Sequence, residues 1–357
     1  EDKAQYCFIH LTFQEFLAAK HVVDTKKEAQ ELQQFITDHI NEDPWQLVVQ
    51  FVAGLLVDSD KAKQEQFSEM LMELLPMSTF EGHAILGLTD ATTSIYWPHG
   101  KSKTALAVTL CKCLYELEVE QQLSIKEKTE KNSFNAVWLC GCNLAPADCA
   151  AILHFLKNCK EKLALYLHYN SLGDLGCMEI KKMIVESGGD CNLMGLEFAH
   201  NNMGEKGVEY LCDALKIKHC NLTVLFLENN DVGDKGAELL SDAIKDGNCK
   251  LTQLNLNRNN IGVEGVEHLR DALKDVNNNL TALYLAYNNI GNNGVEYLSD
   301  ALKDVNCKLT VLNLTGIDVE DKGVEHLSDA LKDVNCKVSV LGLENNSIGD
   351  KGVEHLS

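Results

Sequence analysis

The chain has 357 residues, of which 45% are hydrophobic, and a formal net charge of −21 at pH 7. The apolar share argues against disorder. The acidity argues against nucleic acid, because phosphate backbones are held by clustered Lys and Arg that this sequence lacks. No apolar run reaches the roughly 18 residues that a membrane-spanning helix needs.

Residues 1–20, EDKAQYCFIHLTFQEFLAAK, read as a short strand ending near Ile9 and then a helix. Thr12 and Glu15 fit a capping box, and Phe13, Phe16 and Leu17 start an apolar stripe. Asp43 and Pro44 open another helix whose body, Trp45 to Val57, is apolar nearly all round, which predicts burial. Phe67, Met70, Leu71, Leu74 and Leu75 mark a third helix, and Leu106, Leu110, Leu114 and Leu117 a fourth. The charged stretch 116–131 then leads out of what reads as a small all-α bundle over residues 21–133.

From Phe134 onward one cassette repeats. Units begin at Phe134, Lys162, Leu193, Leu222, Leu251, Leu280, Leu309 and Val338, the later ones at a 29-residue step, and the eighth stops at Ser357. A period of this length means a solenoid. Each unit opens LxxLxLxxN, as in Leu251, Leu254, Leu256 and Asn259, where alternation puts the leucines on one face of a short strand. An Asn at the following bend can bond backbone groups that have left the ladder, so Asn170, Asn201, Asn230, Asn259, Asn288 and Asn346 should stack. Cys142 and Ile317 hold that place in their units, and Ile317 predicts a local break in the ladder or a bridging water. Val266, Leu269, Ala272, Leu273 and Val276 then follow a helical stripe, with Asp234 and Asp350 as caps in their own units. Neither strand nor helix is covered within one unit, so neighbours must stack. The carboxylates at Glu209, Glu238, Glu267, Glu296 and Glu325, and at Asp213, Asp242, Asp271, Asp300 and Asp329, predict an acidic outer helix face.

Of the 14 cysteines, Cys220, Cys249, Cys307 and Cys336 share one repeat position. Stacked about 10 Å apart they are too distant for the roughly 5.5 Å of a bridge, and small buried thiols in a reducing, cytoplasmic setting are expected. The Cys111/Cys113 and Cys140/Cys142 pairs lack a second pair at zinc spacing, so no metal site is expected. His99, Gly100, Lys101 and Ser102 give only half of a phosphate-binding loop, and no nucleophile and base are coupled, so an enzyme is not expected.

LxxLxLxxN followed by a full helix resembles the ribonuclease-inhibitor-like class of leucine-rich repeats. That resemblance implies an α/β solenoid, a horseshoe with a parallel inner sheet and outer helices, here preceded by the helical bundle. FIHLTFQEFLAA, residues 8–19, and WQLVVQFVAGLL, residues 45–56, are similar to the end of the winged-helix domain and the following helical domain of animal nucleotide-binding leucine-rich-repeat receptors, the NACHT proteins of innate immunity. The resemblance divides the chain into a winged-helix remnant at 1–20, a helical domain at 21–133 and repeats at 134–357. It implies a ligand-sensing and autoinhibitory role for this fragment, ATP or ADP bound by a domain outside it, and His10 near the nucleotide phosphates. The alternatives are a free-standing binder or scaffold built on similar repeats and, more distantly, a GTPase activator using an exposed Arg.

On the inner sheet, the residue between the second and third Leu should face the hollow. That column reads Trp138, Tyr166, Glu197, Phe226, Asn255, Tyr284, Asn313, Gly342. A parallel column three residues on reads Gly141, Tyr169, His200, Asn229, Arg258, Tyr287, Gly316, Asn345. Aromatic residues facing a hollow are common interface anchors. Trp138, Tyr166, Tyr169, Phe226, Arg258, Tyr284 and Tyr287 are therefore expected to line a site for a protein or pathogen-derived partner, or for the chain's own nucleotide-binding domain. The competing reading is that aromatic side chains merely suit strands.

Overall fold

Alternating apolar residues in each unit make a three- to five-residue strand, and the leucines of the inner units pack into one shared core. The computed structural model describes residues 2–26, 29–40, 43–56, 64, 67–71, 96–97, 101–116, 136–157, 162–188 and 192–356. Among these, nine strands form one parallel sheet in strict chain order. They are β1 (Tyr96–Trp97), β2 (Ala136–Trp138), β3 (Leu163–Tyr166), β4 (Leu193–Glu197), β5 (Val224–Phe226), β6 (Gln253–Asn255), β7 (Ala282–Tyr284), β8 (Val311–Asn313) and β9 (Val340–Gly342). A helix follows each of β2 to β9, from Pro146–Leu156 to Asp350–Leu356. Strands pack about 4.8 Å apart and helices about 8–10 Å apart, so the stack curves with its sheet on the inside. Leu225, Leu227, Leu254, Leu256, Leu283, Leu285, Leu312 and Leu314 are all fully buried in one continuous core. Removing one such side chain costs about 2–5 kcal/mol.

β1 lies within the segment expected to be all helical. It pairs with β2 through Tyr96 and Ala136, and the helix Lys101–Glu116 packs beside Pro146–Leu156. The stack therefore starts one strand and one helix before Phe134. The sequence there lacks the leucine spacing because the strand has only two paired residues.

Three further expectations are corrected. Residues Asp2–Thr25 form one helix, with no strand near Ile9 and no helix start at Thr12. The segment contains neither Gly nor Pro to break it, and strong helix formers run through it. His10 falls within this helix. Val276 is 73% exposed, because the helix ends at Leu273 with Lys274 as its C-cap and the helical period no longer applies beyond it. Asp234 and Asp350 do not cap their own helices. Asp234 Oδ1 accepts from the Gly262 and Gly265 amides of the next unit at 2.6 and 3.0 Å, and Asp321 caps the Asp350–Leu356 helix through Gly349 and Gly352 at 2.7 and 3.1 Å. A Cβ on Gly265 would lie 2.5 Å from Asp234 Oδ1, so the glycine admits its neighbour's carboxylate.

The helix from Asp43 to Leu56 is present, and none of residues 45–56 is exposed. Phe67, Met70 and Leu71 are helical and buried, as are Leu110 and Leu114; Leu74, Leu75, Leu117, Phe134 and most of 116–131 lie outside the described residues.

The asparagine column forms as expected. Asn288 Oδ1 accepts from the Asn259 and Ile261 amides at 3.0 Å each, and its Nδ2 donates to the Leu256 and Leu285 carbonyls at 2.9 Å each. Each such Asn ties its own unit to the preceding one. At Ile317 the break is confined to one interface. Asn346 still accepts from the Ile317 amide at 3.0 Å, and Gly291 N still donates to the Ile317 carbonyl at 2.8 Å, but the apolar side chain offers nothing to the Asn288 and Ile290 amides. Two other ladders run parallel to this one. Thr252, Thr281 and Thr310 each donate to the preceding unit's threonine carbonyl at 3.1 Å, and Asn277 and Asn306 donate to the Lys245 and Lys274 carbonyls at 2.9 and 3.0 Å.

The outer face is acidic as expected, with Asp213 and Asp300 exposed and bridged across units by Lys181 and Lys274 at 2.7 and 2.9 Å. Cys220, Cys249 and Cys307 are buried and form no disulfide.

Candidate functional site on the inner sheet

Register places the first hollow-facing column as expected. Trp138 pairs with Tyr166, Tyr166 with Glu197, Glu197 with Phe226, Phe226 with Asn255, Asn255 with Tyr284 and Tyr284 with Asn313. Side chains alternate along a strand, so the residue two positions on faces the same way. That adds a column absent from the sequence reading: Cys140, His168, Ala199, Glu228, Asn257, Ala286 and Thr315.

The hollow divides into two patches. In the first, Trp138 stacks on Tyr166 at 4.7 Å and 25°, over a small apolar cluster of Ala136, Ala164, Tyr166 and Val224 that is separate from the main core. Tyr166 was expected to face solvent, but only 3% of it is exposed. The indole and the neighbouring strands cover its ring, so its part is structural. Cys140 Sγ lies 3.2 Å from His168 Nδ1. Burial, aided by Cys142 and Glu197, pushes the Cys140 thiol well above its ordinary range, which makes it a poor nucleophile. Burial and His200 hold His168 below the ordinary imidazole value. Glu197, placed between Tyr166 and Phe226, is pushed up to about 7 by burial, with a smaller contribution from Glu228 and an opposing one from the Ala199 amide.

In the second patch, Phe226 and Tyr284 are half-buried and meet edge to face at 6.1 Å across the intervening Asn255. Beside them the column expected from Gly141 to Asn345 has a property that spacing alone does not reveal. Tyr169, His200, Asn229, Arg258, Tyr287 and Asn345 all have φ between 50 and 58°, and Gly141 and Gly316 complete the series at 61 and 60°. The chain must turn left-handed here, immediately before each ladder Asn, to bring that Asn inward. Large side chains adopt this conformation at a cost of about 1–2 kcal/mol per residue, and only glycine takes it freely. Tyr169 and Tyr287 are nevertheless 60% and 42% exposed.

These side chains order one another. Tyr169 stacks on His200 at 4.2 Å, and Asn229 lies 2.8 Å from His200 Nδ1. The Arg258 guanidinium lies over the Tyr287 ring at 4.1 Å, and Asn345 Nδ2 donates to the Tyr287 hydroxyl at 3.0 Å. Of the expected partner residues, Phe226, Arg258, Tyr284 and Tyr287 are brought together across three adjacent units. Trp138 and Tyr166 form the separate patch, and Tyr169 stands between. His10 belongs to the N-terminal helix, and its side chain lies outside the described residues.

Repeat, register and ladder define a leucine-rich-repeat solenoid, a protein-binding scaffold. The family model described as Leucine Rich repeat matches residues 218–241, 247–269, 276–299, 305–328 and 334–357. The chain is similar to bovine (Bos taurus) nucleotide-binding oligomerization domain-containing protein 2, at 30% identity over 99 residues, which are 28% of this chain and 9% of that protein. Among solved structures it is similar to a chain of the yeast Rad7 and Elc1 complex, with a TM-score of 0.40 and 15% identity over 71% of this chain and 67% of that one. It is also similar to an internalin from Listeria monocytogenes, with a TM-score of 0.23 and 16% identity over 65% of this chain and 86% of that one. No helix of the described residues is long and apolar enough to cross a membrane.

Proposed function

We propose that this chain is the sensing and autoinhibitory part of a cytosolic nucleotide-binding leucine-rich-repeat receptor, and that its hollow face binds a protein or pathogen-derived ligand. The observation that carries the binding role is the left-handed column: exposed Tyr169, Arg258 and Tyr287 occupy positions where the scaffold itself is best served by glycine. Strain retained at exposed residues is a mark of function. The receptor assignment is supported by the match to the bovine protein, whose name states nucleotide binding and oligomerization, and by the order of helical region before repeats.

In this reading the repeats bind either the ligand or the receptor's own nucleotide-binding domain. The ligand shifts the equilibrium by binding better to the open state. Replacing both Tyr284 and Tyr287 by Ala in the full-length protein is expected to abolish ligand-dependent assembly while leaving the melting temperature of the repeats unchanged. A fall in melting temperature with assembly intact would make these aromatic residues structural.

A further inference from the structure

We propose that the left-handed ridge recognises a carboxylate, with the Arg258 guanidinium as its anchor, and that the polypeptide bound in the hollow presents an acidic side chain next to an aromatic one. This rests on the hollow being the binding face and names the chemistry of its occupant.

The chain holds two arginines. Arg270, on an outer helix, is engaged: its Nε and Nη2 donate to Asp271 at 2.9 and 2.8 Å. Arg258 is not. Its nearest acid is Glu228, 3.9 Å from Nε, and among the described residues no acceptor lies within hydrogen-bond distance of its guanidinium. Its position is nevertheless defined. It lies over Tyr287, whose ring is so close to Gly316 that a Cβ there would come within 2.6 Å of Cδ1, and whose hydroxyl is held by Asn345. A guanidinium with its face packed and its N–H edge open is a preformed fork for two carboxylate oxygens.

The neighbouring unit extends the set of donors. Asn229 Nδ2 lies 2.8 Å from His200 Nδ1, which leaves the imidazole Nε2 edge outside that contact. Phe226 and Tyr284 lie one unit to either side of Asn255, on the strand that leads to Arg258, and provide the apolar floor for an adjacent aromatic side chain. The chain's net charge of −21 repels polyanions, so a single carboxylate on an otherwise apolar segment fits and a nucleic acid does not. Glu228, 3.9 Å from Arg258 Nε, is the acid with which the ligand's carboxylate must compete, and its distance leaves the two terminal nitrogens to the ligand.

The test is a random peptide display library panned on the whole chain, with the recovered peptides made in pairs that differ only by Glu→Gln or Asp→Asn. The proposal expects recovered peptides to carry an acidic residue next to an aromatic one and the amide versions to bind about tenfold weaker, a difference of roughly 1.4 kcal/mol. Arg258→Gln should weaken the acidic peptide by the same factor and erase the distinction within each pair. Arg258→Lys, which keeps the charge without the fork, should recover little of it. Because Arg258 is 49% exposed, both variants should melt with the parent. Peptides that lose binding to Tyr284→Ala yet bind Arg258→Gln unchanged would overturn the carboxylate anchor and keep the hollow as the site. Peptides indifferent to both substitutions, or a library that yields no Arg258-dependent peptide, would overturn the proposal, and indifference to Tyr284→Ala would also remove the hollow as the binding face.

Discussion

Two columns of side chains run one residue apart through the same turns, and they obey opposite rules. Asn170, Asn201, Asn230, Asn259 and Asn288 are buried, chemically identical and bonded from unit to unit. Tyr169, His200, Asn229, Arg258 and Tyr287 are chemically varied and sit on left-handed backbone. An inward-facing polar group must satisfy every neighbouring backbone donor, and only one side chain has the right shape and both bonding types. An outward-facing one is constrained in backbone conformation but hardly in chemistry. The scaffold is therefore built from the first column, and the second is the one left free to vary.

The largest effect is expected from breaking the buried column. Asn259→Ala leaves the Asn230 and Val232 amides without their side-chain acceptor, takes one of two donors from the Leu227 carbonyl, and should cost about 3 kcal/mol in urea unfolding. A loss below about 1 kcal/mol would mean that water replaces the side chain.

Glu197 sits at the other extreme, a carboxyl half-buried on the hollow face of the sheet. Its folded value near 7 is raised from 4.5, so the folded state holds a proton that the unfolded state has released. Its contribution to stability is full below the unfolded value and is lost as pH rises through about 7. The unfolding midpoint should fall between pH 5 and 8, and Glu197→Gln should flatten that slope. An unchanged slope would show that Glu197 is ionised throughout.

Ile317 tests whether the buried column needs asparagine or only needs filling. Burying a new polar side chain commonly costs several kcal/mol. Ile317→Asn should instead cost about 1 kcal/mol or less, because the Asn288 and Ile290 amides face the new acceptor; a collapse in stability would show that the apolar contact had replaced the ladder there. The smallest change is expected from Tyr169→Gly, about 0.5 kcal/mol or less in the same unfolding measurement. Relief of the left-handed strain offsets the lost stack on His200 and the added chain entropy. A large loss would place Tyr169 among the structural residues.

Much of this was legible in the residues themselves. The eight unit frames, the helix following each strand, the asparagine column and its interruption at Ile317, and the pairing order of the first hollow column follow from spacing, because a repeat exposes its own register. Other features left no such trace. β1 is too short to show a period. Tyr166 reads like Tyr284 until Trp138 is seen to cover it. The middle column with His168 and Glu228 was implied by strand alternation and overlooked because its members share no residue type.

By itself the sequence determined that the chain is a stack, since a strand's leucines and a helix's stripe that cannot be buried within one unit leave only the neighbour to cover them. What only the tertiary structure decided are relations between units: Asp234 capping the next helix, Arg258 held over Tyr287, and a left-handed turn imposed on residues that would avoid it alone. Each depends on atoms about 29 residues apart coming within a few ångströms, and that proximity exists only once the sheet has set its curvature and register.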